Sequence, residues 1–243
     1  MRLMGRAGRP PQDPARRTER AHRILDAAAE LILRWGYDKT TVDDVARQAG
    51  VAKGTIYLHW KTREALFTAL LRRERVRMLA EVRRGTPATP HDLFAALALA
   101  LLRRPLLKAL LTGDSALLGK LVRQKWRGPG ALEPSAAFDD YYTELTRLGA
   151  VRDLAGDHTL VIGSVLYGFL VAPGLLPAGP PADERIAALL ADTVDRATAT
   201  GQAPPAGTAH AVAQATLGYL DAVEELAQRK LDDSLNPAEE RVT

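Results

Sequence analysis

Apolar residues recur every three or four positions along most of the chain, a spacing that places them on one face of an α-helix. Near the N terminus this pattern predicts a first helix over about 18–35, two short helices between 40 and 60, and a fourth helix over about 63–84. The pattern ends in a long helix over about 208–233, for which the sequence indicates no role. Because no alternation of apolar and polar residues is long enough for a strand, the predicted fold class is all-α.

Glycine and proline divide the rest of the chain into further helices. Gly85, Thr86 and Pro87 end the fourth helix and mark a domain boundary. The following helices are predicted over about 91–104, 105–111, 115–126, 135–148, 159–172 and 183–200. The predicted parts are a disordered Arg-rich tail (1–16), an N-terminal three-helix domain with its connector helix (17–84) and a larger helical domain (85–243).

The first of the two short helices carries the signals of a well-defined start and end. Its apolar stripe consists of Val42, Val45, Ala46 and Ala49. A threonine before a helix and an acid three residues later form a capping box; the candidate pairs are Thr40 with Asp43 and Thr41 with Asp44. Gly50 is the residue type that ends a helix, and Val51 and Ala52 form a tight turn after it.

The second short helix begins near Lys53 and presents an unusual outer face. On a helical wheel Ile56 and Trp60 point inward, Gly54, Thr55 and Leu58 point outward, and Lys53, Tyr57 and His59 lie on the flanks. Two short helices with such an outer face are typical of the helix-turn-helix, whose second helix enters the major groove of DNA. An ordinary helical hairpin with a solvated face is the alternative.

Residues 24–71 resemble the DNA-binding domain of the TetR family of bacterial repressors. The resemblance rests on Gly-Tyr at 36–37, Thr-Thr at 40–41 and Lys-Gly-Thr-Ile-Tyr at 53–57. The chain departs from the family at Ala52, where many members have serine. The resemblance implies a homodimeric regulator that binds DNA through its N-terminal domain and pairs its late helices across a two-fold axis.

A DNA-binding surface follows from this arrangement. We expect Lys53, Tyr57 and Arg63 to hold phosphates, and Thr55, Leu58 and His59 to meet base edges or a thymine methyl group. Gly54 allows the backbone to approach DNA closely, and Lys61 in the next connector completes the set. Thr41 is expected to contact phosphate because helix N-termini bind anions.

Charge is divided unequally between the two ends of the chain. Residues 1–84 hold 19 Lys and Arg against 10 Asp and Glu, a net charge of +9, whereas residues 85–243 hold 14 against 19, a net charge of −5. This division predicts a polyanion partner for the N-terminal part alone. The arginines of the tail could follow DNA as an arm, or the tail could simply be solubilising.

The compartment expected from composition is the cytoplasm. The chain has no cysteine, and residues 1–23 lack the apolar core of a signal peptide. Residues 159–182 carry no charge, but the unbroken helical part would reach only about 21 Å, short of the roughly 30 Å membrane core. We therefore expect a buried interface helix and no membrane partner.

Residues that could support catalysis are not grouped. The five histidines, His22, His59, His91, His158 and His210, show no metal-ligand spacing. Gly163 and Gly168 have the spacing of a phosphate loop, but Phe169 and Leu170 stand where Lys and Ser or Thr are needed. We expect neither enzymatic activity nor a metal or other cofactor.

The larger domain offers candidates for a ligand pocket and for a dimer interface. Aromatic residues and one histidine could line a pocket for a small hydrophobic ligand: Trp126, Phe138, Tyr141, Tyr142, His158, Tyr167 and Phe169. Small residues and an amphipathic face could pair two copies: Gly163, Gly168, Ala172, Ile186 and Leu190. Ordinary core packing within one subunit is the alternative for both sets.

Together these features predict a homodimeric transcriptional regulator that binds double-stranded DNA at a palindromic operator. Release of a repressor by a small hydrophobic ligand is the expected mode of control. The alternatives are a DNA-binding regulator without a ligand switch and a helical protein-interaction module that holds an acidic partner. Sequence preference among duplexes would separate the last alternative from the others.

Overall fold

A computed structural model describes residues 14–126, 136–177, 179–202, 205 and 207–236. Within these residues the fold is all-α, as predicted. The helices are α1 (Pro14–Trp35), α2 (Val42–Ala49), α3 (Lys53–His59), α4 (Arg63–Arg84), α5 (Pro90–Leu102), α6 (Pro105–Thr112), α7 (Ser115–Trp126), α8 (Ala136–Arg147), α9 (His158–Val171), α10 (Asp183–Thr198) and α11 (Ala209–Leu235). A short 3₁₀ helix, Ala172–Leu175, follows α9.

Helix α1 covers α2 and begins earlier than its apolar pattern predicts. Its buried face includes Ile24, Leu25, Ala28 and Ile32, which join the same apolar cluster as Val45 of α2. The helix starts at Pro14 because proline is well suited to a first helical turn, where its missing N–H would be unpaired in any case. Residues 14–16 of the predicted tail therefore belong to α1, and 1–13 lie outside the described residues.

Helix α4 connects the first three helices to the rest of the chain. Thr62 caps it, because its hydroxyl accepts a hydrogen bond from the Ala65 N–H at 3.0 Å. The charged run in this helix is not simply solvated. Arg73 is only 2% exposed; it donates to the His22 carbonyl at 2.9 Å and lies 2.8 Å from the Asp26 carboxylate of α1.

Helices α5 and α10 pack against each other in the centre of the second part of the chain. The apolar cluster there contains Leu93 and Phe94 of α5, Leu190 and Val194 of α10, and Tyr142 of α8. The apolar face of α10 is thus filled within one subunit.

The last helix runs along α4 and reaches the helix-turn-helix. Arg83 forms an ion pair with Asp221 at 2.8 Å, and Arg72 donates to the Lys230 carbonyl at 2.9 Å. At the far end the indole N–H of Trp60 donates to the Ser234 carbonyl at 2.9 Å. Helix α11 therefore contacts the middle and the C-terminal end of α4 and ends beside Trp60, the residue that follows α3.

Two apolar clusters fill the interior of the described chain. The first, around α1–α4, also contains Leu106 of α6, Leu118 of α7 and Leu231 of α11. We call α1–α4 the head and α5–α11 the body. A division into domains at residue 84 remains a prediction, since the first cluster contains residues from both sides of it.

Helix α9 leaves an apolar surface in solvent. One helical stretch of the described residues, His158–Leu175, is apolar enough by length and composition to cross a membrane, and only 22% of it is buried. Its α-helical part would span about 21 Å, less than the roughly 30 Å hydrocarbon core. Asp157 precedes α9, and its side chain forms no capping hydrogen bond with the first turn.

Candidate nucleic-acid interface and body pockets

The start of α2 is fixed by a capping box between Thr41 and Asp44. The Thr41 hydroxyl accepts from the Asp44 N–H at 3.1 Å, and the Thr41 N–H donates to the Asp44 carboxylate at 3.1 Å. Thr40, the other candidate cap, is fully buried and donates to the Gly36 carbonyl at 2.9 Å. Hydrogen bonds to Thr41 hold the pKa of the Asp44 carboxyl below its usual value. The Thr41 hydroxyl is thus engaged within α2, which weakens its case as a phosphate ligand.

Gly50 ends α2 in the left-handed backbone conformation, and the chain turns there before α3 begins. Gly50 has φ 64°, a conformation that glycine adopts without strain, and its N–H donates to the Arg47 carbonyl at 3.2 Å. Helix α3 then begins after Ala52, which makes no side-chain capping bond because it lacks a hydroxyl. The predicted short helix, turn and second helix are therefore present with the expected glycine stop.

The outer face of α3 contains most of the predicted DNA-binding residues. Lys53, Gly54, Tyr57, Leu58 and Lys61 are exposed, and Thr55 is half-buried. Leu58 is 61% exposed although leucine is apolar, whereas Ile56 and Trp60 are buried behind it. Lys53 forms an exposed ion pair with Asp43 of α2 at 2.7 Å. This pair ties the N-terminal end of α3 to α2.

The prediction that His59 meets base edges is wrong. Its side chain is 3% exposed and lies beside Trp60, with ring centroids 5.2 Å apart. Burial, together with the charges of Arg17 and Arg20 in α1, lowers the pKa of His59 to about 4. A neutral imidazole on the inner side of α3 belongs to the core.

Arg63 also faces inward, contrary to its predicted role at phosphates. Its guanidinium lies 3.9 Å from the ring centroid of Tyr37 and donates to the Tyr37 carbonyl. Cation–π contact and this hydrogen bond hold the start of α4 against the loop after α1. Arg63 therefore positions the helix-turn-helix and is not part of its exposed face.

Two cavities lie on opposite sides of α8, and each is lined by some of the aromatic residues of the body. The α8/α11 groove has a volume of ≈ 240 Å³ and is lined by Ala137, Asp140, Tyr141, Glu144, Ala215, Gly218, Tyr219 and Ala222. The α8/α9 pocket has a volume of ≈ 420 Å³ and is lined by Asp139, Tyr142, Thr143, Thr146, Asp153, Gly156 and His158. The predicted residues Tyr141, Tyr142 and His158 therefore do not share one site.

The other predicted ligand residues lie elsewhere. Phe138 packs between the two sites, 4.9 Å from Tyr142 and 6.1 Å from Tyr219 by ring centroids. Tyr167 is 45% exposed and Phe169 is half-buried in the body core, and neither lines the two cavities. The side chain of Trp126 lies outside the described residues.

The predicted dimer residues fall into two groups. Ile186 and Leu190 are 4% and 1% exposed within one chain, and Leu190 belongs to the apolar cluster that contains Leu93 of α5, so their burial argues against the predicted place in a dimer interface. Gly168 and Ala172 are exposed and Gly163 is half-buried. A Cβ placed on Gly163 or Gly168 would meet nothing within 4 Å, so close packing inside one subunit does not explain these glycines.

Helix α11 contributes residues that the sequence analysis missed. Tyr219 stacks on Tyr141 with centroids 4.9 Å apart, and Thr216 lies 3.0 Å from the Tyr141 hydroxyl. Tyr219 follows the apolar spacing of the last helix, but spacing alone does not reveal which helix it will meet. The acids of the α8/α9 pocket carry no local signal either, because Asp139 and Asp153 come together only when α8 and α9 pack.

Comparison with known proteins supports the interpretation of the head. Residues 24–70 match the model of "Bacterial regulatory proteins, tetR family". An HTH-type transcriptional repressor of Mycobacterium tuberculosis, Rv1474c, is 37% identical over 78 residues, which are 32% of this chain and 42% of that protein. The fatty acid metabolism regulator protein of Bacillus subtilis is 47% identical over 49 residues, 20% of this chain and 25% of that protein.

These alignments span less than half the length of either relative. A solved SmeT–triclosan complex superposes on 77% of this chain and 96% of its own with 17% identity and a TM-score of 0.43. The family match covers the capped α2, the Gly50 turn and α3 described above. The match to the tetR family of bacterial regulatory proteins thus lies in the helix-turn-helix region of the chain.

Proposed function

We propose that the protein is a sequence-specific transcriptional repressor that inserts α3 into the major groove of double-stranded DNA. The observation that carries this proposal is the outer face of α3, where Leu58 and Tyr57 are exposed at 61% and 39% over a fully packed inner face. An apolar side chain held in solvent between lysines suits a groove that presents thymine methyl groups between two rows of phosphates.

Each exposed residue of α3 has a distinct role in this proposal. Leu58 contacts a thymine methyl group, and Thr55 reaches a base edge. Tyr57 and Lys61 hold phosphates. Gly54 lets the backbone approach the DNA closely. A Cβ at this position would have no protein atom within 4 Å and would project toward the DNA.

Lys53 takes part through its ion pair. Its ammonium lies 2.7 Å from the Asp43 carboxylate, and both side chains are exposed. Exposed pairs of this kind are weak, so a phosphate can replace the carboxylate at little cost. Lys53 thus adds to phosphate binding once DNA is present.

We further propose that two copies pair through α9 and bind a palindromic operator. Leu160, Ser164, Tyr167 and Gly168 form an exposed stripe at helical spacing, and Leu160 is 67% exposed. The exposed glycine and serine allow a second helix to approach closely. Pairing would cover this surface in a cytoplasmic protein, and a two-fold axis suits half-sites about 34 Å apart.

A small ligand would release the operator by changing the angle between head and body. The α8/α9 pocket and the α8/α11 groove lie in the body, and α4 and α11 lead from the body to α3. A ligand that binds one dimer geometry more tightly than the other shifts the free energy of DNA binding by the difference between its two binding free energies. This coupling is commonly about 1–3 kcal/mol. A helical module that only holds an acidic protein would need neither the exposed leucine of α3 nor a preference among duplexes.

Selection of bound duplexes from a random oligonucleotide pool tests the central claim. We expect one palindromic motif, and Leu58→Ala should relax preference at one base pair in each half-site by about 1–3 kcal/mol. Leu33→Ala is the matched control, because Leu33 is also an exposed leucine of the head but lies on α1. Equal binding to all duplexes by the wild-type protein would contradict the proposal.

A further inference from the structure

The α8/α9 pocket is unusually polar for a ligand site in a helical protein. Its volume is ≈ 420 Å³, within the range of about 300–1,000 Å³ that holds small organic ligands. Four of its seven lining residues are Asp139, Thr143, Thr146 and Asp153. No lysine or arginine lines it among the described residues. Its two carboxylates therefore lack a positive counterpart within the lining.

Two arginines close in sequence to the lining residues, Arg147 and Arg152, form hydrogen bonds with groups outside the pocket lining. The Arg147 guanidinium donates to both carboxylate oxygens of Glu144, at 2.6 and 2.7 Å. Arg152 donates to the Ala197 carbonyl at 2.9 Å, on the side of α10. Asp153 accepts from the Ala155 N–H at 2.7 Å through one oxygen, which holds the loop before α9 in place.

His158 is buried and lines the pocket, with one ring nitrogen held by the backbone. Its Nε2 lies 3.1 Å from the Arg152 carbonyl, which can only accept, so Nε2 carries the proton of this bond. The acceptors that the pocket offers are the carboxylates of Asp139 on α8 and of Asp153 in the loop before α9.

Tyr142 forms an aromatic floor with a polar group that is not satisfied. Its side chain is 1% exposed, and its hydroxyl has no hydrogen-bond partner among the described residues. Its ring lies 4.6 Å from that of His158 and 4.9 Å from that of Phe138. Burial raises the pKa of Tyr142, so the hydroxyl stays neutral and keeps its proton. A buried unpaired hydroxyl is costly, and a bound polar group would relieve that cost.

We propose that the α8/α9 pocket binds an organic cation whose N–H groups lie between Asp139 and Asp153 and whose apolar frame rests on Tyr142 and His158. Amidinium, guanidinium and ammonium compounds are the class that matches two carboxylates above aromatic rings. This inference rests on the proposed ligand control and replaces the expected purely hydrophobic ligand with a charged one.

Benzamidinium and benzamide provide a matched pair of probes, since they share a shape and differ in charge and donors. Affinities are measured by isothermal titration and ligand-observed NMR on the full chain without DNA. We expect benzamidinium to bind at least about tenfold more tightly, because hydrogen bonds to charged groups are the stronger class. In the Asp139→Asn/Asp153→Asn double variant that preference should fall to within about threefold, since asparagine keeps the oxygen that bonds to Ala155 but not the charge.

Asp140→Asn is the matched control. Asp140 is adjacent to Asp139 on α8 but lines the α8/α11 groove, so its loss should leave benzamidinium affinity unchanged. Tyr142→Phe keeps the aromatic floor and removes only the hydroxyl, and it should weaken benzamidinium a few-fold without unfolding the chain. This variant serves as the second test if the double variant does not fold.

Benzamide binding as tightly as benzamidinium would overturn the inference, and so would a double variant that keeps the full preference. Because these measurements contain no DNA, they do not depend on operator recognition. Selective binding of benzamidinium that leaves operator affinity unchanged would support the pocket and contradict ligand release by this class of compound.

Discussion

Helices α3 and α9 both hold large apolar side chains in solvent, but their surroundings differ. On α3, the exposed Leu58 stands in sequence between the exposed Lys53 and Lys61, in the part of the chain with a net charge of +9. On α9, the exposed Leu160 and Tyr167 belong to a helix that contains no Asp, Glu, Lys or Arg. An apolar residue among cations suits a polyanion with apolar groups in its grooves, whereas an uncharged apolar face suits another apolar face.

The inner faces of the two helices differ as well. The inner face of α3 belongs to the same apolar cluster as residues of α1, Trp60 and the end of α11, so packing from several sides fixes its orientation. Helix α9 has only His158, Ile162 and Leu170 fully buried. We therefore expect α3 to need no partner for its structure, whereas α9 should gain most of its burial from a second copy.

The largest expected effect concerns the exposed face of α9. Leu160→Glu should convert the dimer to a monomer and weaken operator binding by about 100- to 10,000-fold, because two linked half-sites bind far more tightly than one. Light scattering measures the mass of the protein in solution, and fluorescence anisotropy measures its affinity for the operator. Leu33→Glu, at the other exposed leucine, should leave the mass unchanged. A Leu160→Glu protein that remains dimeric would show that α9 is not the interface.

The second prediction tests whether the body helps to hold α3. Leu231 of α11 is 3% exposed and belongs to the apolar cluster of the head. Leu231→Ala should lower the free energy of unfolding by about 3 kcal/mol, through lost burial and the cavity that remains. Urea denaturation followed by circular dichroism measures this value, and Asp233→Ala on the exposed side of α11 is the control. A loss below about 1 kcal/mol would mean that the head does not depend on the last helix.

The third prediction concerns pH and the inner side of α3. The folded pKa of His59, about 4, lies below its ordinary value of 6.5. Between these values the unfolded chain binds the proton more readily, so the free energy of unfolding should fall as pH drops from 6.5 to 4. At about 1.4 kcal/mol per pKa unit, this residue accounts for at most about 3 kcal/mol.

His59→Phe should remove this share of the pH dependence while His210→Gln, on the exposed side of α11, should not. Burial lowers the pKa of His22 too, with further lowering by the charge of Arg73, so a smaller dependence of the same sign remains. Urea midpoints measured at several pH values between about 4 and 7 provide the test. An unaltered slope in the His59→Phe variant would contradict the burial of His59.

The helix-turn-helix could be predicted from the sequence because its signals are local. The Thr41–Asp44 box and the Gly50 stop lie within a few residues of the turns they form. His59 was misassigned because a helical wheel places it on a flank and does not show that this flank is buried beside Trp60, near Arg17 and Arg20 of α1.

The body was harder to predict because its signals are distant in sequence. The apolar face around Ile186 and Leu190 shows that α10 must be covered, but its pattern does not say whether α5 or a second chain covers it. The two cavities likewise depend on how α8 packs between α9 and α11. Asp139 faces one of them and Asp140 the other, although they are neighbours in sequence.

The smallest expected effect separates the two kinds of contact proposed for α3. Tyr57→Phe removes one hydroxyl from an exposed side chain, so it should cost about 1 kcal/mol, a few-fold in affinity, through the loss of one phosphate hydrogen bond. Since phosphates carry no sequence information, the loss should be similar for the operator and for duplexes with single base changes. Anisotropy titrations over such a panel compare Tyr57→Phe with Leu58→Ala. If Tyr57→Phe altered the preference at one base pair, the phosphate role would belong to another residue, and the aromatic ring of Tyr57 would have to be assigned to the groove beside Leu58.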